Sequence, residues 1–222
     1  MRSLSELTHT DDPAYPLIQE WLAEARNPVT LLPRDAGRAE AELQLCQVST
    51  RSVMGAVVYE TGGILIDNGW LRILGSGSER LPRGLGSWNL GRTLSEAGAA
   101  APYLLIADDA AGGYFAVNGG GLAAPPGHVC YLAPDTLEWE DCELAYSDFL
   151  YWTFCGDLHM FYQNCRWQGW QDDAARLGGD DTYSFFPFLW TKEGQDINRV
   201  ERRIVPVAEH YAAMLDIRQQ IT

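Results

Sequence analysis

Lysine, histidine and paired cysteines are scarce in this sequence, and each shortage excludes a class of site. Lys192 is the only lysine and no G-x-x-x-x-G-K-[S/T] motif occurs, which excludes a P-loop enzyme. The four histidines are far apart and form neither H-x-H nor H-x-x-x-H. The five cysteines contain no C-x-x-C pair, so neither a zinc ribbon nor a disulfide framework is indicated. A hydrolase elbow, G-x-S-x-G, is also absent.

Long apolar segments are missing as well. No run approaches the roughly 20 residues that cross a bilayer, and the first residues lack the apolar core of a secretory signal. With 222 residues, 46% of them hydrophobic, the chain can bury a core without disulfides or metals. We therefore expect a single globular domain over residues 1–222, located in the cytoplasm and away from membranes.

Negative charge is abundant and unevenly distributed. The net charge is −14, and residues 101–181 carry 13 acidic and two basic side chains. Such a field repels nucleic acid and anionic membranes and favours cationic partners. A solvated surface that keeps the protein soluble would have the same composition.

A tight hairpin is the clearest local prediction. Two β-prone runs, residues 64–66 and 70–74, flank Asp67-Asn68-Gly69, and an Asn-Gly step favours the two positive φ angles of such a turn. The loop at residues 75–93 that follows is long enough to be functional. The stretch before the hairpin, residues 52–60, could be a short helix or a strand, because it fits neither period cleanly.

Three further apolar runs predict the centre of the sheet. They begin at Tyr103, Tyr114 and His128, and an acidic connection then leads to a helix capped by Ser147. A short edge strand or extended loop is expected at residues 184–190, because of its proline. Other helices are predicted from Pro13, with Asp12 as the cap, from Asp35 to Cys46, and from about Pro206. This pattern predicts an α+β fold: a central, largely antiparallel sheet of five or six strands with flanking helices.

Patterns that could carry chemistry are weak. The glycines after residue 74 resemble a dinucleotide loop, but Arg80 stands at the third glycine position. Cys155 and His159 are four apart, yet Gly156 interrupts the helix that would pair them. Tryptophans such as Trp152 could stack on a ligand, although such spacing is more typical of a core. We predict no catalytic residue, no metal site and no cofactor, and favour a non-enzymatic protein, although two acids facing one cleft would support glycoside hydrolysis.

Five strings carry a family resemblance: residues 61–77 (TGGILIDNGWLRILGSG), 107–119 (ADDAAGGYFAVNG), 131–140 (YLAPDTLEWE), 146–150 (YSDFL) and 185–191 (FFPFLWT). Together they resemble the bacterial family known as domain of unknown function 2625 (DUF2625), nearly end to end. That family implies no activity for this chain.

A second, more distant resemblance covers residues 103–150. Its strand–turn–strand order, the "PDTLEW" link and the helix opening S-x-F-L are similar to the SUKH superfamily. That resemblance implies an α+β fold and protein binding, often as a bacterial immunity protein that neutralises a toxin.

Two sets of site residues follow from these observations. An acidic surface that binds a basic protein, with an immunity role as its sharpest form, would use the carboxylates of this segment: Asp108, Asp109, Glu138, Glu140, Asp141 and Glu143. The alternative is a small-molecule-binding protein or hydrolase, whose pocket near the 75–93 loop would include Asp67, Trp70 and Arg72. The oligomeric state is left open.

Overall fold

A seven-stranded antiparallel sheet lies at the centre of the computed structural model, which describes residues 1–221. Its strands are β1 (Val29–Leu31), β2 (Gly63–Ile66), β3 (Leu71–Leu74), β4 (Tyr103–Asp109), β5 (Tyr114–Asn118), β6 (His128–Leu132) and β7 (Trp139–Ala145). They lie side by side in chain order, and each neighbouring pair is antiparallel. The predicted α+β class is confirmed, although the sheet is larger than the five or six strands expected.

Helices precede, interrupt and follow these strands. They are α1 (Leu4–Thr8), α2 (Tyr15–Glu24), α3 (Ala36–Cys46), α4 (Val53–Glu60), α5 (Leu85–Asn89), α6 (Tyr146–Cys155), α7 (Leu158–Phe161), α8 (Trp170–Arg176) and α9 (Val207–Ile221), with a 3-10 turn at Lys192–Gly194. The helix predicted from Asp35 to Cys46 is α3, and Asp35 caps it by accepting from the Arg38 amide. Ser52 accepts from the Gly55 amide, and this cap makes the ambiguous stretch a helix.

Two predicted helix starts are wrong. Helix α2 begins at Tyr15 after Ala14, with a proline in its first turn, and not at Pro13 with Asp12 as the cap. A start at Pro13 would put Pro16 in the fourth position, where a missing amide and a ring clash break the helix. Helix α6 begins directly after β7, so its N-cap is Ala145 and not Ser147.

The β2–β3 hairpin confirms the strongest local prediction. Ile66 pairs with Leu71, and the chain turns through Asp67 (φ 54°), Asn68 (φ 62°) and Gly69 (φ 83°). Short polar side chains and glycine tolerate these left-handed angles. Both strands are buried at every residue.

Both faces of the sheet are covered, which explains that burial. Successive residues of β5 point to opposite faces. The Tyr114 ring lies 4.8 Å from the ring of Tyr211 in α9, whereas the Phe115 ring lies 4.9 Å from that of Phe149 in α6. Strands buried on two faces read as continuous apolar runs without alternation.

A separate two-stranded ribbon joins β8 (Asp181–Phe186) to β9 (Glu201–Pro206). The extended segment predicted near Ser184 is therefore a strand over part of its length, and its partner β9 was not predicted because its sequence, ERRIVP, is largely charged. The ribbon is tied to the main sheet where the Tyr183 amide donates to the carbonyl of Ala110, at 3.0 Å.

The acidic connection predicted after β6 is also a strand. In β7, Glu140 pairs with Tyr131 and Trp139 pairs with Leu132. Acidic residues are depleted from most strands, so the sequence pattern predicts a loop here. Because β7 is the last strand of the sheet, it has an outer side on which carboxylates remain in water.

Candidate functional site

Asp108 lies between two arginines inside the protein. Its Oδ1 is 2.5 Å from an Nη2 of Arg72, and its Oδ2 accepts from Nη1 of Arg83. Strand register brings the first pair together, because Arg72 in β3 is directly opposite Asp108 in β4. Arg83 arrives from the 75–93 loop and also pairs with Asp180 at 3.1 Å. Burial lowers the pKa of Arg83, but the Asp108 carboxylate, together with smaller contributions from Asp180 and Tyr114, raises it overall.

Asp109 performs a different task at the end of the same strand. Its Oδ1 accepts from the amides of Ala111 and Gly113, both at 2.9 Å, and its Oδ2 accepts from the Tyr131 hydroxyl at 2.7 Å. Burial raises the pKa of Asp109, and these hydrogen bonds oppose the rise. The side chain thereby fixes the turn between β4 and β5 from within.

These contacts correct two of the six predicted surface residues. Asp108 is 1% exposed and Asp109 is 0% exposed, so neither presents charge to a partner. The prediction placed both in a solvated turn. The strand continues through Asp109, and arginines from β3 and from the long loop cover Asp108. We call Arg72, Arg83, Asp108 and Asp109 the inner charge cluster.

The other four predicted acids are exposed. Glu138 directly precedes β7, and Glu140, Asp141 and Glu143 lie in it, at the open side of the sheet. We call them the acidic edge.

The acidic edge is locally ordered. The Asp141 carboxylate accepts from the Glu143 amide at 2.8 Å and lies 3.0 Å from Nδ1 of His128. The first of these bonds, followed by the histidine, lowers the pKa of Asp141. Glu143 adopts a left-handed φ of 57°, next to a register shift in the β6–β7 pairing. The edge strand is bent at this point, and its carboxylates remain accessible.

A cleft of about 240 Å³ opens beside the acidic edge, between β7 and helices α6 and α7. Its lining includes the aromatic residues Tyr131, Phe149, Trp152 and Phe161 together with Glu140 and Asp141. We call it the edge cleft. The sequence did not predict this cleft. Trp152 and Phe161 lie on helices that pack beside β7, and the sequence pattern predicts a loop where β7 lies.

The alternative pocket is not built from the three residues predicted for it. Trp70 and Arg72 are buried, and Asp67 forms an ion pair with Arg166. The predicted residues therefore stabilise the interior and do not form an open site.

A groove of about 390 Å³ does lie at the end of the 75–93 loop, and its lining includes Leu90, Arg92, Tyr103, Tyr211 and Leu215. A ligand in this groove would contact none of the three predicted residues. A small-molecule site near the 75–93 loop is therefore still a hypothesis, but Asp67, Trp70 and Arg72 would not form it.

Residues 1–221 contain neither a metal-binding cluster nor a membrane-spanning helix. No three histidine, cysteine, aspartate or glutamate side chains are grouped so that they could hold a metal ion. No helix in the same range has both the length and the apolar character needed to cross a membrane. All five cysteines are free thiols.

The fold and its two groups of acids define an α+β protein with a neutralised interior cluster and an acidic, accessible sheet edge. The chain belongs to the family described as "Protein of unknown function DUF2625", whose model matches residues 4–210. The first predicted resemblance is thus confirmed, and the SUKH resemblance stays a prediction.

Two relatives are similar over almost their whole length. "Putative uncharacterized protein YbfG" of Escherichia coli (strain K12) is 45% identical over 222 residues, which cover 100% of both chains. An "Uncharacterized protein" of Haemophilus influenzae (strain ATCC 51907 / DSM 11121 / KW20 / Rd) is 43% identical over 213 residues, covering 96% of this chain and 93% of the relative. No solved structure matches the chain at a significant level.

Proposed function

We propose that this protein is a single-domain, non-enzymatic interaction protein of the cytoplasm, and that its acidic edge binds a basic protein. The observation that supports this most strongly is the exposure of four carboxylates within the six residues from Glu138 to Glu143. Like charges concentrated on one strand raise the local negative potential. Such a potential steers a cationic surface toward the sheet edge and repels nucleic acid.

The contrast with the inner charge cluster supports the same proposal. Asp108 is neutralised by arginines within the protein, so its charge serves folding. Among the acidic edge residues, the contacts are with a histidine, a threonine hydroxyl and a backbone amide, namely His128, Thr136 and Glu143. These contacts orient the carboxylates without cancelling them, which leaves most of their charge for an external partner.

The immunity role implied by the SUKH resemblance is the narrower form of this proposal. In that form the basic partner is a toxin and the acidic edge covers part of its surface. Charge on such an interface mainly accelerates association, which suits an inhibitor that must act before its target does.

Cross-linking in the native cell tests the proposal. The tagged protein and a Glu138→Gln/Glu143→Gln variant would be cross-linked in parallel, and captured proteins identified by mass spectrometry. A matched control, Glu20→Gln/Glu96→Gln, removes the same charge from exposed positions elsewhere. We expect a basic protein that is captured by the wild type and the control and is depleted with the edge variant. Equal capture by all three proteins would refute the proposal.

A further inference from the structure

The edge cleft combines two kinds of side chain that together recognise an organic cation. Its lining combines aromatic residues, including Trp152, Phe161 and Tyr131, with the acidic residues Glu140 and Asp141. The faces of aromatic rings attract cations, and carboxylates form charge-assisted hydrogen bonds to guanidinium or ammonium groups. The lining includes no arginine, lysine or histidine side chain. Both features therefore favour a positively charged group supplied from outside.

The cleft is reachable from solvent at its aromatic end. Phe161 is 37% exposed although it is a large apolar residue, and Met160 beside it is also exposed. The Phe161 ring lies 5.0 Å from that of Trp152 and 5.2 Å from that of Tyr131. An entering side chain can thus contact exposed ring surface at this end of the cleft.

Glu140 is the carboxylate best placed to meet the cation. Its Oε1 accepts from the Thr136 hydroxyl at 3.0 Å, which orients the group. Asp141 is more fully engaged, because it accepts from a backbone amide and contacts His128. A carboxylate has about four acceptor positions, so Glu140 can accept from a ligand while keeping its threonine contact.

The same chain already holds an arginine in this way. The guanidinium carbon of Arg166 lies 3.8 Å from the centre of the Trp170 ring, 5.1 Å from Trp70 and 5.0 Å from Tyr162. Asp67 forms the accompanying ion pair. Several aromatic rings and one carboxylate are thus enough to bind a guanidinium in this protein, and the edge cleft offers the same set of groups.

We propose that the edge cleft receives an arginine side chain of the basic partner as an anchor. The inference rests on the proposed function and identifies the contact that holds the complex together. A planar guanidinium can lie flat on a ring and present two donors to Glu140 at once, which an ammonium group cannot do. Charge on the acidic edge then accelerates encounter, whereas the anchor slows dissociation.

A titration with a defined probe tests the cleft without the partner. N-acetyl-arginine methylamide would be added to the full chain, and the Trp152 indole and nearby amide signals followed by NMR. The citrulline derivative has the same shape without the charge, and the lysine derivative has the charge without the planar fork. We expect saturable shifts at Trp152 and Phe161 with arginine, binding at least about fivefold weaker with lysine, and none with citrulline.

Glu140→Gln supplies the decisive variant, because it keeps the size and the Thr136 contact while removing the charge. The variant should bind the arginine probe about fivefold more weakly than the wild type, or weaker still, whereas the matched control Glu20→Gln should bind it with unchanged affinity. Equal binding of citrulline and arginine, or unchanged binding to Glu140→Gln, would overturn the proposal. The dispersion of the spectrum shows directly whether each variant is folded.

Kinetics with the captured partner separate this inference from the proposed function. Glu140→Gln and Phe161→Leu should increase the dissociation rate, while Glu138→Gln/Glu143→Gln should decrease the association rate. If only the association rate responds to any of these changes, the acidic edge is a docking surface and the arginine anchor is wrong. If neither rate responds, both proposals are wrong.

Discussion

The carboxylates of the inner charge cluster and those of the acidic edge lie about 30 residues apart in one acidic segment. They differ in what surrounds them. Asp108 is enclosed by two arginines, one opposite it in β3 and one from a loop, whereas the carboxylates of β7 face water. Net charge along a chain therefore does not identify a surface. The tertiary partners of each carboxylate decide whether it stabilises the fold or remains available for binding.

The largest expected loss of stability follows from a substitution in the inner charge cluster. Asp108→Asn removes one negative charge from between Arg72 and Arg83 and leaves buried guanidinium groups without full compensation. Breaking a buried ion pair in this way costs about 3–5 kcal/mol. Urea denaturation of the variant should show a loss of this size, or no folded protein at all. The matched change Glu138→Gln should alter the unfolding free energy by less than about 0.5 kcal/mol. Similar small losses in both variants would remove the distinction between the two groups.

The second largest expected loss of stability comes from the buried side chain of His210 and depends on pH. Burial lowers the pKa of His210, in α9, from 6.5 to about 4. Between these values the unfolded chain binds a proton that the folded protein does not, so stability falls as the pH decreases from 6.5 to 4. The loss from this group should reach about 3 kcal/mol.

Unfolding free energies measured at several pH values between 7 and 4 would show this loss. His210→Gln should have a flatter profile than the wild type over that interval, whatever its stability at pH 7. Parallel profiles for the two proteins would show that the imidazole is not protected from protonation as the structure indicates.

A smaller effect is expected at the turn that Asp109 fixes. Tyr131→Phe deletes the hydroxyl that donates to Asp109 at 2.7 Å and keeps the ring that packs on Phe115. Losing a hydrogen bond and leaving its buried acceptor without that partner lowers stability by about 1–3 kcal/mol. Thermal or urea denaturation measures the change, with Tyr15→Phe in the half-buried first turn of α2 as the control. A loss no greater than that of the control would show that Asp109 does not need this bond.

The smallest effect on stability belongs to the acidic edge itself. The variant Glu138→Gln/Glu143→Gln removes two negative charges from side chains that are exposed to solvent. We expect a change in unfolding free energy within about 0.5 kcal/mol. A loss of several kcal/mol would mean that these carboxylates support the fold, and the contrast with Asp108 would then be wrong.

The sequence predicts those elements of the fold whose signals are local. The turn at Asn68-Gly69, the helix that follows Asp35 and the apolar runs of β4 to β6 each depend on a few neighbouring residues, and each is present. Strands β7 and β9 were missed because their charged sequences suit an edge, a position that only the assembled sheet defines.

The site was predictable only in part, for the same reason. Glu138, Glu140, Asp141 and Glu143 are exposed as expected, because charged residues on an edge strand keep their hydration. The burial of Asp108 depends on Arg83, which is 25 residues away and lies in a long loop without a periodic pattern. The edge cleft depends on how α6 and α7 pack against β7, and no local signal in the sequence encodes that packing.

The most direct test of the central claim compares association rates with the captured partner at several salt concentrations. Stopped-flow measurements would use the wild type, Glu138→Gln/Glu143→Gln and the control Glu20→Gln/Glu96→Gln. If the acidic edge steers a basic partner, the edge variant should associate several-fold more slowly at low salt, with a shallower salt dependence, while the control stays within about twofold of the wild type. Equal rates and equal salt dependence for all three proteins would contradict the account.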